Sequence, residues 1–159
     1  MSATNFERSR QRVSEMPISR ILVATDGSSG GSRAVTAAAE LAKALACELL
    51  IVTLPDNIPR AEWADLARGE GGIDQGLELL TTRILLEAKE RAASIGSPKV
   101  RTWSGSGDAA EVIIDTARRE HADLIVVGRR GRGQLTGLVL GSVSQKLASL
   151  APSLVLVVP

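Results

Sequence analysis

The segment 128–144, GRRGRGQLTGLVLGSVS, combines residue types that bind phosphate groups, and it follows the apolar run ADLIVV. It contains five glycines and three arginines. Glycine lets a ligand approach the backbone without a clash with Cβ, and the arginine fork pairs with phosphate oxygens. We therefore expect this loop to bind phosphate, with one of Arg129, Arg130 and Arg132 reaching an oxygen and the others solvated.

The end of this segment indicates the start of a helix, 142–150, opened by Gly141 and Ser142. The first N–H groups of a helix are unpaired and lie at the positive end of its dipole, where phosphate binds readily. The hydroxyls of Ser142 and Ser144 could add donors. The spacing is neither that of a P-loop, which needs a lysine after the glycines, nor that of the dinucleotide fingerprint, which follows the first strand. From spacing alone, a second interpretation stays open: the glycines only make turns and Ser142 only caps the helix.

Strand-like and helix-like segments alternate along the chain, as short apolar runs and amphipathic stretches bounded by turn residues. The predicted strands are 20–25, 47–54, 99–104, 123–128 and 153–158, and the predicted helices are 32–46, 76–96, 107–122 and 142–150. Ser32 and Asp108 are the expected N-caps, and Glu111 stands at capping-box spacing from Asp108. The segment 55–75 is expected to be a loop, with a short helix over 61–68.

This alternation predicts an α/β fold: a doubly wound, five-stranded parallel sheet with strand order 3-2-1-4-5 and helices on both faces. The order reverses between strands 1 and 4. Ligands bind at the carboxyl edge of such a sheet, at the reversal. The loops TDGSSGG, after strand 1, and GRRGRG, after strand 4, are therefore expected to meet there.

Composition narrows the class of protein. The 159 residues suit one domain, expected over 18–159, and 44% hydrophobic with 23% charged residues is ordinary for a globular chain. A net charge of +1 and three aromatic residues argue against nucleic-acid binding.

Residues 1–17 are polar and are expected to form a flexible extension without a signal-peptide core. No apolar run is long enough for a membrane span, and we expect a cytoplasmic protein. The single cysteine, Cys47, excludes an internal disulfide, and no His/Cys cluster has metal-ligand spacing.

The glycine spacing, Gly128-x2-Gly131-x9-Gly141-Ser142, resembles the nucleotide-binding signature of the universal stress protein family. The segments RILVATDGS, EVIIDTARREHADLIVVG and APSLVLVV resemble the same family, so that the resemblance extends over roughly 18–158. It implies a Rossmann-like fold, ATP bound at the reversal of strand order, and a homodimer.

The resemblance also implies a role for each matching residue. Gly128 and Gly131 would line the ribose and phosphates. The backbone and hydroxyl groups of the next four would bind phosphates: Gly141, Ser142, Val143 and Ser144. Thr25 and Asp26 would lie beside the base and ribose, and Thr53 near the adenine.

Asp26 has two interpretations. A carboxylate beside phosphates repels them unless a divalent cation intervenes, so Asp26 would better accept a hydrogen bond from an adenine amine or a ribose hydroxyl. Alternatively, it is a turn residue whose carboxylate accepts local N–H groups.

The leading hypothesis is an ATP-binding stress-response protein that acts through conformation or partners, with Mg²⁺ accompanying the triphosphate. Hydrolysis needs a group that positions water, and none stands out near the glycines, so any ATPase activity should be weak. The alternative is a nucleotide-free, dimeric interaction module of the same fold. A nucleotidyltransferase is disfavoured, because TDGSSGG replaces the H-x-G-H motif expected after strand 1.

The last strand, LVLVV, is apolar at every position and is expected at the edge of the sheet. An uncovered apolar edge invites aggregation. Antiparallel pairing with a second copy would cover it, and the sequence therefore predicts a homodimer through this strand.

Overall fold

The computed structural model describes residues 17–55, 58, 72–132 and 140–159. The extension predicted over 1–17 lies outside these residues except for Pro17, and the short helix predicted over 61–68 lies outside them too. No helix in the described ranges is long and apolar enough to cross a membrane.

Five parallel strands form one sheet in the order β3-β2-β1-β4-β5, which confirms the predicted topology. Their bounds are β1 Arg20–Ala24, β2 Glu48–Thr53, β3 Lys99–Ser104, β4 Leu124–Gly128 and β5 Leu154–Val158. In the central register, Leu22 of β1 lies opposite Leu50 of β2 and Ile125 of β4. All three side chains are buried, as expected for strands covered on both faces.

Four helices cover the sheet: α1 Ser29–Leu45, α2 Gly72–Ile95, α3 Ala109–Arg119 and α4 Ser142–Leu150. One face of the sheet packs on α1 and α2, where small residues such as Ala38 and Ala42 contact Ile21 and Leu49 in one buried cluster. The other face packs on α3 and α4 in a second buried cluster, which includes Leu147. Successive residues of a strand therefore pack alternately into the two cores, one on each face of the sheet.

The start of α1 differs from the prediction. Its N-cap is Ser28, not Ser32, and the Ser28 hydroxyl accepts a hydrogen bond from the Gly31 N–H at 3.1 Å. Glycine is a poor helix former, by about 1 kcal/mol relative to alanine, and the pair Gly30-Gly31 therefore suggested a turn. Both glycines are buried, so that tertiary packing outweighs their low propensity.

The other two described caps bear on the site. Asp108 caps α3 as predicted, since its Oδ1 accepts the N–H of Glu111 at 3.2 Å. The last helix begins at Ser142 as predicted, but its N-cap is Gly141, which has no side chain to cap the first turn.

At the amino edge of the sheet, the parallel register aligns Arg20, Glu48 and Lys99, the first residues of three strands. The Glu48 side chain is 7% exposed and accepts hydrogen bonds from Arg101 at 2.9 Å, Lys99 at 3.1 Å and Arg20 at 3.4 Å. Burial alone would raise the pKa of Glu48. The hydrogen bonds from Arg101 and Lys99 and the charge of Arg20 outweigh burial and lower the pKa from 4.5 to about 2.

This shift predicts an acid-dependent contribution to stability. The folded pKa lies below the unfolded one, so the stabilisation is complete above about pH 4.5 and is lost as the pH falls towards about 2. Glu48→Gln should lower the free energy of unfolding by about 1–2 kcal/mol at pH 7. The deficit should be smaller at pH 3, as measured by urea unfolding at both pH values.

Glu87→Gln is the control, because Glu87 pairs with Arg83 on the exposed surface of α2. It should change stability little at either pH. A Glu48→Gln deficit of equal size at pH 7 and pH 3 would contradict the electrostatic account.

Candidate functional site

A cavity of about 350 Å³ opens at the carboxyl edge of the sheet, where β1 and β4 end. Parallel strands bring the loops that follow them to one edge, as the sequence predicted. Nine of the ten predicted binding residues line the cavity: Thr25, Asp26, Gly128, Arg129, Gly131, Gly141, Ser142, Val143 and Ser144.

The Asp26 carboxylate joins the two loops that form the cavity. Its Oδ2 accepts the backbone N–H of Arg132 at 2.9 Å, across the sheet reversal. Its Oδ1 accepts the N–H of Ser28 at 2.9 Å, and its backbone carbonyl accepts the Nε–H of Arg132 at 2.6 Å. The local bond to Ser28 is the one expected of a turn residue, and the bonds to Arg132 add a long-range contact. Asp26 therefore fixes the distance between the loops.

Two glycines are required where these loops touch. A Cβ on Gly128 would lie 2.8 Å from the backbone carbon and oxygen of Gly30. A Cβ on Gly131 would lie 2.5 Å from Oδ2 of Asp26. The Gly128-x2-Gly131 spacing therefore has a packing reason that operates before any ligand arrives.

The backbone of Arg129 positions the start of α4. Its N–H donates to the carbonyl of Val158 at 2.6 Å, and its carbonyl accepts the N–H of Gly141 at 2.9 Å. The buried hydroxyl of Ser144 lies 3.0 Å from the Arg129 carbonyl and 2.9 Å from that of Gly141. A hydroxyl has one proton to donate, and these two carbonyls compete for it. The Ser144 hydroxyl thus holds the loop against the helix.

The first turn of α4 is electropositive. The N–H groups of Ser142, Val143 and Ser144 have no intrahelical acceptor, as at any helix start. No side-chain hydrogen bond caps them, and no acidic residue lies in that turn, whereas Ser28 and Asp108 cap the other helices whose caps the structure describes. These donors line the cavity beside Arg129, Arg130 and Arg132. Among the residues of the described lining, three are arginines and one is acidic, Asp26.

One wall of the cavity was not anticipated from the sequence. It is apolar and includes Ala109 and Ile113 of α3, with Leu54 after β2 and Val127 of β4. The signal was present, because the helix after β3 must begin at the same carboxyl edge as the two loops. The described cavity thus combines apolar lining with the cationic loop, a mixture typical of small-molecule sites.

Thr53, which the family resemblance implies to lie near the adenine, is not among the residues that line the described cavity, although its neighbour Leu54 is. Along β2, Leu50 and Val52 pack towards α3, and Leu49 and Ile51 pack towards α1. The period of two puts the Thr53 side chain on the α1 face, away from the cavity. Its hydroxyl is buried and has no hydrogen-bond partner among the described residues.

A comparison with protein-family models matches residues 17–159 to the universal stress protein family. The chain belongs to this family. A universal stress protein of Thermus aquaticus is 36% identical over 138 residues, which cover 87% of this chain and 96% of the relative. Universal stress protein Rv1636 of Mycobacterium tuberculosis is 36% identical over 140 residues, covering 87% and 94%.

Solved universal stress proteins share the fold. A crystal structure of one in complex with cAMP is 28% identical, has a TM-score of 0.66, and is matched over 89% of this chain and 97% of that one. UspA from Lactobacillus plantarum has a TM-score of 0.72 at 21% identity, over 89% and 98% of the two chains. The five-stranded order and the flanking helices are thus those of the family.

The loop contact predicts the effect of a methyl group on Gly131. In Gly131→Ala, the new Cβ would have to displace the Asp26 carboxylate and weaken its bond to Arg132. We expect a loss of about 1–3 kcal/mol of unfolding free energy. For a chain of this length this is a drop of roughly 2–12 °C in the thermal midpoint, measured by circular dichroism.

Gly141→Ala is the matched control. Its backbone angles, φ −72° and ψ 164°, suit any residue, and its Cβ would lie 3.3 Å from the Arg129 carbonyl oxygen. It should cost less than half as much as Gly131→Ala. Equal costs for the two variants would show that the Asp26 contact does not limit the loop.

Proposed function

We propose that the cavity binds ATP, with the phosphates on the first turn of α4 and the base against the apolar wall. The observation that carries this proposal is the uncapped N-terminus of α4, which meets three arginines in one cavity. Free N–H groups and a positive helix dipole favour an anion, and guanidinium groups pair with phosphate oxygens. The cavity's volume of about 350 Å³ lies within the range of small-molecule sites, about 300–1,000 Å³.

The proposal assigns each part of the nucleotide to a group of residues. Ala109, Ile113 and Leu54 offer apolar surface to the adenine ring. The Asp26 carboxylate keeps lone pairs beyond those used by Ser28 and Arg132, and one of these would accept a ribose hydroxyl. The family member solved in complex with cAMP supports an adenine nucleotide as the ligand class.

Mg²⁺ would enter together with the triphosphate. No group of three His, Cys, Asp or Glu side chains in the described ranges is placed to hold a metal ion. Mg²⁺ usually keeps several waters and binds through substrate phosphates, and these would hold it here, because Asp26 is assigned to the ribose. The ion would mainly neutralise phosphate charge.

In this proposal the protein binds ATP and hydrolyses it weakly or not at all. Hydrolysis needs a group that orients water at the γ-phosphate. Asp26 already accepts N–H groups of both loops, and the described lining contains no histidine or second carboxylate. Its role in stress response would then be to change conformation or partners with bound nucleotide, in the cytoplasm.

The proposed assembly is a homodimer formed by β5. In this edge strand Leu154 is 48% exposed and Leu156 is 36% exposed, whereas Val155 and Val157 pack on the core beneath α3 and α4. The leucine face and the unpaired backbone edge would both be covered by antiparallel pairing with a second copy. The leucines, rather than the valines, would therefore face or flank the partner.

Nucleotide binding predicts a thermal shift. A ligand at one hundred times its dissociation constant stabilises the fold by about 2.7 kcal/mol, which is roughly 5–11 °C for a chain of this length. ATP with Mg²⁺ should raise the wild-type midpoint by about this amount. Ser142→Asp should abolish the rise, because it places a negative charge among the phosphate donors while it favours the helix dipole.

Ser142→Asn is the matched control, since asparagine has the size and the polarity of aspartate without its charge. It should retain most of the ATP-dependent rise. A Ser142→Asp protein that folds and binds ATP as well as wild type would place the phosphates elsewhere. A wild type that shows no shift with millimolar ATP would favour the nucleotide-free interaction module.

The dimer predicts a contrast between two exposed leucines. Leu156→Lys should convert the dimer to monomer at micromolar concentration, because it puts charge on the face of β5. Leu86→Lys, on the exposed face of α2, should leave the dimer intact, since Leu86 is 54% exposed and α2 packs beside β2 and β3, towards the opposite edge of the sheet from β5. Light scattering that shows a monomeric wild type, or a dimeric Leu156→Lys, would contradict the proposed interface.

A further inference from the structure

A salt bridge crosses the rim of the cavity between α3 and α4. Lys146 Nζ donates to Asp108 Oδ2 at 2.9 Å, and both side chains remain well exposed. Their chain neighbours Gln145 and Ala109 line the cavity. The two oxygens of Asp108 have separate partners, because Oδ1 caps α3 through the N–H of Glu111. The bridge can therefore break without loss of the helix cap.

Lys146 lies just beyond the first turn of α4, and Asp108 compensates its charge in the structure. It stands in the second turn of a helix whose first turn has no acidic residue and no side-chain cap. The dipole of a helix acts mainly within its first turn, so that its effect on Lys146 is weak and Asp108 is the main partner of this charge. Asp108 supplies the compensating charge in the structure, and this hydrogen bond lowers the pKa of Asp108 and raises that of Lys146.

Lys146 can reach the proposed phosphate site from this position. It stands four residues after Ser142, which puts both residues on one face of α4. Helical side chains lean towards the N-terminus, and a lysine is long enough to span one turn of about 5.4 Å. Exposed ion pairs contribute little to stability, so a phosphate chain with several negative charges would compete successfully with one carboxylate.

We infer that Lys146 is a phosphate-binding residue of this cavity. Asp108 holds the Lys146 side chain at the rim until the phosphates of a nucleotide displace the Asp108 carboxylate. The inference rests on the proposed nucleotide site and deepens it, because it makes affinity depend on the number of phosphates. Asp108 competes with the phosphates for Lys146 and thereby lowers the affinity of the cavity for the nucleotide. Nucleotide charge is thereby coupled to the contact between α3 and α4.

The variants separate binding from folding. Lys146→Gln removes the cation and keeps a long polar side chain. Asp108→Asn keeps the cap oxygen, because asparagine caps helices as well as aspartate, but removes the charge that holds Lys146. Lys89→Gln is the control: it removes one positive charge from an exposed position in the C-terminal half of α2. Calorimetry would measure the affinities for ATP, AMP and adenosine in the full-length protein.

Lys146→Gln should lower ATP affinity about tenfold, AMP affinity less, and adenosine affinity not at all. Asp108→Asn should raise ATP affinity several-fold, and the double variant should match Lys146→Gln. Lys89→Gln should match wild type. A bridge that only tethers the two helices would instead let both single variants lower all three affinities alike, or change none of them, and either result would overturn the inference.

The test also separates this inference from the function on which it rests. If wild type binds none of the three ligands, the nucleotide site and the role of Lys146 both fail. If wild type binds ATP and Lys146→Gln binds it equally well, the site stands and the role of Lys146 is wrong. A drop in ATP affinity in Asp108→Asn would likewise overturn the competition between carboxylate and phosphate.

Discussion

The contact between Asp26 and the backbone of Arg132 is the constraint on which the cavity depends. It holds the loop after β1 against the loop after β4, at the reversal of strand order between these two strands. Side chains on Gly128 or Gly131 would force these loops apart. The glycine-rich sequence is therefore explained first by how closely two backbones must approach, and the cavity is the space that this approach leaves.

The same loop connects the cavity to the edge of the sheet. The Arg129 N–H is bonded to Val158, the last residue of β5, and the Arg129 carbonyl is bonded to Gly141 and Ser144 at the start of α4. The backbone of Arg129 thus positions both the edge strand β5 and the start of α4, whose first N–H groups have no intrahelical acceptor. In a universal stress protein of this form, the proposed phosphate site and the apolar edge share a backbone residue.

Much of this arrangement could be predicted from the sequence, because local patterns and topology agree. The strand over Lys99–Ser104 and the start of α4 at Ser142 follow from apolar runs and turn residues. The start of α1 was missed, since the low propensity of Gly30 and Gly31 concealed positions that need small residues for packing. The role of Thr53 near the adenine stays a prediction: the family resemblance implies a region of the chain, whereas the strand register decides which face of the sheet a side chain occupies.

The central claim is that phosphates bind on the first turn of α4, and a nitrogen–proton NMR titration with ATP and Mg²⁺ tests it most directly. The account predicts that the backbone amide signals of Ser142, Val143 and Ser144 move most, with downfield proton shifts as their N–H groups gain charged acceptors. Saturation should follow one binding curve for all three. Signals that stay in place there while others shift, or no shifts anywhere, would contradict the account.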